Sequence, residues 1–231
     1  MRNRLAFLTV LSFCVAGSAS AAPAKHVEVE YEISRNGNAV ADMVEKLEHD
    51  GKTYRLSGQL RGRGVFALRG DASRTSRGSI GPGGLRPAEF EDKRTGRDTA
   101  RATFDWAAKT MTLQGKEGAS ETKPLPPDIQ DRLSFGYQFA FHPPGAAPVG
   151  VSVTDGKGVS TSTYKSVGKE TVKTPAGEFE ALKLEREKKD AGDRTTEIWL
   201  ATRLGMVPVR ILVVEKDGTR IDQVATRVTP Q

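Results

Sequence analysis

Near the start of the chain Val27, Val29, Tyr31 and Ile33 alternate with Glu28, Glu30 and Glu32. A period of two with one apolar and one charged face predicts a half-buried antiparallel strand. Asn36-Gly37 follows as a type I′ hairpin pair, and Ala39–His49 leads to a second such turn at Asp50-Gly51. From Tyr54 to Leu68 the alternation continues, with Leu56, Leu60, Phe66 and Leu68 on one face and Arg55, Arg61, Arg63 and Arg69 on the other. Gly58, Gly62 and Gly64 interrupt the apolar face and predict a bulge or strong bend, a device that curls sheets toward barrels. Ala72–Ile80, Glu89–Lys93, Thr99–Trp106 and the surroundings of Met111 and Leu113 keep the strand rhythm, and a polar segment, Lys116–Lys123, ends this half.

The rhythm resumes at Val149–Thr154, Val159–Val167, Thr171–Thr174, Phe179–Leu184, Thr195–Leu200, Val207–Val214 and Arg220–Val228. Asp155-Gly156, Thr174-Pro175-Ala176-Gly177 and Asp217-Gly218 supply turns. Pro208 removes a ladder donor, so the Val207–Val214 strand is predicted at an edge. Between the halves Pro124–Pro144 breaks the pattern. Ile129, Leu133, Gly136, Tyr137, Ala140 and Phe141 recur at helical spacing behind Pro126, Pro127 and Asp128, and Pro143-Pro144-Gly145 stops the run. One helix is predicted over Asp128–Phe141. The fold class is therefore mainly β: a strongly curved antiparallel sheet, half-barrel or open barrel, with one central helix packed across it.

The 231 residues, with 24 glycines and 12 prolines, suit a single β domain over 22–231. Residues 1–21 are set apart. Arg2 and Arg4, the apolar run Leu5–Ala16 and Ala19-Ser20-Ala21 have the order of a secretory signal peptide, and the run is too short to span a bilayer. Phe13 before Cys14 does not suit a lipid-attachment site. Cleavage removes the only cysteine, and loss of the two arginines takes the net charge from +6 to +4. The picture is a periplasmic protein without disulfides and without a transmembrane segment in its mature form. Its mild positive surplus does not indicate nucleic acid.

No sequence pattern names a reaction. His26, His49 and His142 are too scattered for a metal site, and no metal or cofactor is expected. Ser162-Thr163-Tyr164-Lys165 and Ser166-Val167-Gly168-Lys169 match S-x-x-K, but both fall in strand pattern and lack the companion motifs of penicillin-recognising enzymes. Asp128 and Asp131 share a face at helical spacing, where Asp128 serves the helix start and Asp131 bonds a loop or, if burial raised one of them, the pair does acid–base work. The aromatic and aliphatic set is either core alone or core plus the lining of an apolar groove, since barrel mouths and half-barrels are natural concave sites. In the second case Phe104, Trp106, Leu133, Tyr137, Phe141 and Trp199 line the groove, and Arg61 and Arg63 meet an anionic headgroup at its rim.

Four pieces carry a resemblance: Thr103-Phe104-Asp105-Trp106, Gln130-Asp131-Arg132-Leu133-Ser134, Thr174-Pro175-Ala176-Gly177, and Trp199 followed by Met206-Val207-Pro208-Val209-Arg210-Ile211. Together, over about Val27 to Val228, the chain resembles the exported proteobacterial family catalogued as domain of unknown function 3108. That family implies no catalytic residue. More distantly, the ending from Trp199 to Pro208-Val209-Arg210-Ile211 resembles the periplasmic lipoprotein carriers, half-barrels that hold acyl chains under a helical lid. This chain departs from them in having a single helix, central in sequence. The resulting expectation is a non-enzymatic periplasmic protein that binds a lipid, a lipoprotein acyl chain or another amphipathic envelope component. The alternative is an envelope scaffold that pairs with a protein partner through an exposed edge strand.

Overall fold

The computed structural model describes residues 23–115 and 118–230. The signal-peptide pattern and Cys14 lie outside the described residues. Among the described residues fifteen strands form one sheet. The first arm holds β1 (His26–Arg35), β2 (Asn38–His49), β3 (Thr53–Gly62), β4 (Ala72–Gly81), β5 (Gly84–Arg94), β6 (Ala100–Asp105), β7 (Thr110–Gln114) and β8 (Ser120–Pro124). Then come β9 (Gln130–Asp131) and the helix α1 (Ser134–Phe141). The second arm holds β10 (Val149–Thr154), β11 (Val159–Thr174), β12 (Gly177–Arg186), β13 (Thr195–Ala201), β14 (Val207–Val214) and β15 (Arg220–Pro230).

Each arm is a meander of hairpins, and the arms join where β1 pairs antiparallel with β15 at the middle of the sheet. The order runs from β8 to β1, then β15 back to β9, and β8 and β9 do not pair, so the sheet curves without closing. Its concave side holds α1, which touches β5 on one arm and β14 on the other. Asn36 and Gly37 have φ of 50° and 82°, which is the type I′ geometry their sequence favours.

Four expectations need correction. The helix begins at Ser134, not Asp128. Asp128 takes a left-handed φ of 53°, and Gln130–Asp131 spend their backbone on a parallel pairing with Val153–Thr154. The Val207–Val214 strand is interior, between β13 and β15. Pro208 is tolerated because the β15 ladder starts only at Arg210 and the β13 ladder shifts register beside it. That takes the Pro208 strand out as an edge for strand addition, and the outer strands of the sheet are β8 and β9. The third strand stops at Gly62, after which Gly64–Arg69 coil into a 3-10 turn that leaves Val65 74% and Leu68 89% exposed. A Cβ on Gly62 would sit 2.4 Å from the Phe66 carbonyl oxygen, so only glycine permits this tight return. Finally, Ser120–Pro124 of the polar connection pairs with β7 as an outer strand.

Candidate functional site

The helix is held by buried polar side chains rather than by an apolar stripe alone. The Asp131 carboxylate accepts from the Leu133 and Ser134 amides at 2.9 and 2.8 Å, satisfying the first orphan donors of α1, and from the Ser76 hydroxyl at 2.5 Å. Burial pushes this carboxyl above its ordinary range, against those donors, which pull it down. At the middle of α1 the Gln138 side chain acts like a strand edge. Its Oε1 accepts from the Leu85 amide at 2.6 Å and its Nε2 donates to the Gly83 carbonyl at 2.8 Å. Gln130 Nε2 completes the tether by donating to the Leu85 carbonyl at 2.9 Å.

Beside α1 the concave face is not filled. A half-open cavity of about 810 Å³ lies between the helix start, β10–β14 and the near part of β2 and β4. Leu133 and Phe135 from the helix segment, Tyr164 from β11, Ile198 from β13 and Ile211 and Val213 from β14 make its apolar walls. Arg74, Arg132, Lys157, Arg186 and Arg194 line it with positive charge, against only Glu45 and Asp155. Glu45 is buried, and burial pushes its carboxyl up to about 7 although the Tyr137 hydrogen bond and Arg74 pull it down. Tyr137 donates to Glu45 Oε2 at 3.1 Å, and Tyr31 donates to the Pro208 carbonyl at 2.7 Å. This polar seam joins helix, β2 and β14 at the cavity floor.

Of the eight residues singled out from the sequence, Leu133 lines this cavity. Tyr137 lies behind it in the core, touching it through Glu45. Phe104 is buried among the first-arm strands, and Phe141 packs edge-on to His49 with ring centroids 4.9 Å apart. Trp106 donates to the Pro87 carbonyl at 2.6 Å with the Arg86 guanidinium 4.5 Å over its ring. Trp199 points to the opposite side of β13 from Ile198, between Lys183 and Arg210. Arg63 is spent on Glu32 and Asp42, and Arg61 is largely exposed with Asp71 4.0 Å away. The structure thus does not gather these eight at one place.

Sequence reasoning missed Glu45, Arg74, Arg132, Tyr164 and Ile198. Glu45 left a signal: it interrupts the inward-facing series Ala41, Met43, Leu47 with a carboxylate. The others meet through pairings between distant strands, and no local pattern marks them.

No curated protein is similar to the chain in sequence. In fold it is similar to the crystal structure of a beta-barrel-like protein of domain of unknown function DUF1849 from Brucella abortus. The TM-score is 0.58 at 7% identity, covering 91% of this chain and 100% of that one. Weaker likenesses, too low to carry an argument, are to a protein from Bacteroides fragilis, inferred to be exported and with a YmcC-like fold, and to one from Parabacteroides distasonis inferred to be a lipoprotein. Their TM-scores are 0.42 and 0.41 at 12% and 10% identity; the first covers 88% of this chain and 95% of its own, the second 90% and 97%. Among the described residues no helix is long and apolar enough to cross a membrane. The model of the family described as protein of unknown function (DUF3108) matches residues 28–225, and the chain belongs to that family.

Proposed function

We propose that this is a non-catalytic binding protein of the bacterial periplasm that holds a lipid, an acyl chain or another amphipathic envelope component in the cavity beside α1. The observation that carries this reading is the division of one cavity into an apolar wall and a cationic lining. Its volume of about 810 Å³ falls within the range of small-ligand sites. Apolar walls left facing a solvent-open cavity of this size are costly in a protein that only has to fold, because that surface is not removed from water. The N-terminal signal pattern supports export.

A hydrolytic reading would need its carboxylates to converge on one open spot. Asp128 is exposed on a strained turn, while Asp131 is buried and occupied with capping.

Native mass spectrometry of the protein taken from a periplasmic extract, with organic extraction of what it carries, tests the proposal. A stoichiometric amphiphile is expected, and Ile211→Asp should lose it in protein that still melts cooperatively. A clean unliganded mass, together with no uptake of added lipids, would sink the idea.

A further inference from the structure

Arg132 differs from every other arginine lining the cavity. It lines the space, and although its backbone amide donates to the Thr154 carbonyl at 3.0 Å, its guanidinium makes no hydrogen bond or ion pair with any described residue, as is also true of the Lys157 ammonium. Arg186, by contrast, donates to Ser162 Oγ at 2.9 Å and to the Arg194 carbonyl at 2.6 Å, and Arg194 stands 3.6 Å from Glu215. Two carboxylates are close enough for Arg132 to feel, Asp92 and Asp155. Both are engaged elsewhere. Asp92 accepts from Arg94 at 3.1 and 2.9 Å and from Arg74 at 3.2 Å. Asp155 Oδ1 accepts from the Lys157 and Gly158 amides at 3.0 and 3.1 Å and so belongs to its own turn.

The remaining neighbours are like charges. Partial enclosure first, and then Arg74 and Arg94, hold the Arg132 guanidinium below its ordinary value. Asp155 and Asp92 offset part of that cost from a distance, but neither is bonded to the guanidinium, so removal of the Arg132 side chain would leave no partner unsatisfied. A guanidinium offers a planar fork that matches a carboxylate or a phosphate through two parallel hydrogen bonds. With its fork free and two more arginines behind it, the site is built to receive a negative charge. Leu133 and Phe135, which follow directly in the chain, begin the apolar wall, so charge and chain of one ligand can be met by adjacent residues.

We infer that Arg132, supported by Arg74, is the anion-recognition point of the cavity, and that the ligand is an amphiphile with an acidic headgroup, a carboxylate or a phosphate. Its chain lies along Leu133, Phe135, Ile198 and Ile211. The inference rests on the binding reading above and gives that reading a ligand class. It also implies a trade: the unliganded protein tolerates repulsion among Arg74, Arg94 and Arg132 that the ligand relieves.

Titration of the purified protein with dodecanoate, dodecyl phosphate, dodecanol and dodecyltrimethylammonium, all below micelle formation, and with inorganic phosphate tests this. Dodecanoate and dodecyl phosphate should bind most tightly and the trimethylammonium least. Arg132→Gln should weaken both acids at least tenfold while dodecanol stays within twofold. Without ligand, Arg132→Gln should melt no lower than the unchanged protein. Arg132→Lys keeps the charge without the fork and should lose less than Arg132→Gln does, which guards against a folding defect in the glutamine variant. Acids that bind Arg132→Gln as well as the unchanged protein, or a trimethylammonium that binds as well as the acids, would overturn the inference while leaving a lipid-binding cavity. Failure of all four chains to bind would overturn the binding reading itself. Inorganic phosphate that binds as tightly as dodecyl phosphate would keep the anion point and remove the lipid.

Discussion

Glu45 sits on β2 with its side chain turned toward the core, where a leucine or valine would ordinarily stand. Burial holds its carboxyl at about 7, above the ordinary value of 4.5. The protonated form is therefore the one the fold prefers, and the stability it contributes is present at low pH and lost as pH rises from about 4.5 through about 7. The size of the shift corresponds to about 3 kcal/mol. Glu45→Gln keeps an acceptor for Tyr137 and removes the titration. Urea unfolding at pH 4 and pH 8 should show the unchanged protein losing about 3 kcal/mol against Glu45→Gln across that interval. Comparison with the variant cancels Asp92 and Glu91, whose lowered values act in the opposite sense. A difference that stays flat with pH would mean that the carboxyl is hydrated in solution. At this scale the sequence was readable wherever a residue acts on its own backbone, as Asn36 and Gly37 do. It put Trp199 in a groove lining and could not foresee that Lys183 and Arg210 from neighbouring strands lie over its indole.

Among the elements, α1 depends most on its surroundings. It has only eight residues, too few to persist alone, and its first-turn amides are satisfied by Asp131 from outside the helix. Its grip on the β4–β5 hairpin runs through Gln138 against Gly83, Gly84 and Leu85. Gly84 has a φ of +95°, and a Cβ there would lie 2.5 Å from Gln138 Oε1. Gly84→Ala should therefore cost about 2 kcal/mol or more, from backbone strain plus the collision. In a double-mutant cycle with Gln138→Ala, thermal or urea melts should show a coupling of about 1 kcal/mol or more, because the second change removes the atom that the first one strikes. Strict additivity would mean that the hairpin and helix do not meet this way. The apolar spacing over 129–141 announced a helix in this segment. It could not announce the late start, because Gln130 and Asp131 are drawn into the sheet by β10, a strand some twenty residues further on.

For the whole molecule the decisive contact is that of β1 with β15, residues nearly two hundred positions apart in a single antiparallel ladder. Each arm is built from neighbouring hairpins, but the arms share little else in sheet hydrogen bonding, so this seam and α1 set the curvature that leaves the cavity open. Such remote pairing implies slow folding, since loop closure must precede its reward. Removing Arg220 to the C-terminus should abolish the cooperative thermal transition rather than shave the edge of a sheet, as followed by circular dichroism. Survival of a sharp transition would show that one arm carries the stability alone. The likeness in fold to the DUF1849 protein at 7% identity fits this view, since a similar fold is reached with very few shared residues.

Period-two alternation, four Asn-Gly or Asp-Gly turns and one helical stretch were enough to determine a curved antiparallel sheet with a central helix, because strands, turns and helices are selected by neighbours in the chain. The cavity was not determined that way. Leu133, Tyr164, Ile198 and Ile211 converge only after the strand register is set, and Arg132 becomes an unpaired cation only once Asp92 and Asp155 have been claimed by Arg74, Arg94 and a turn. Which charges end without partners is a property of the completed packing, so only the tertiary structure decided it.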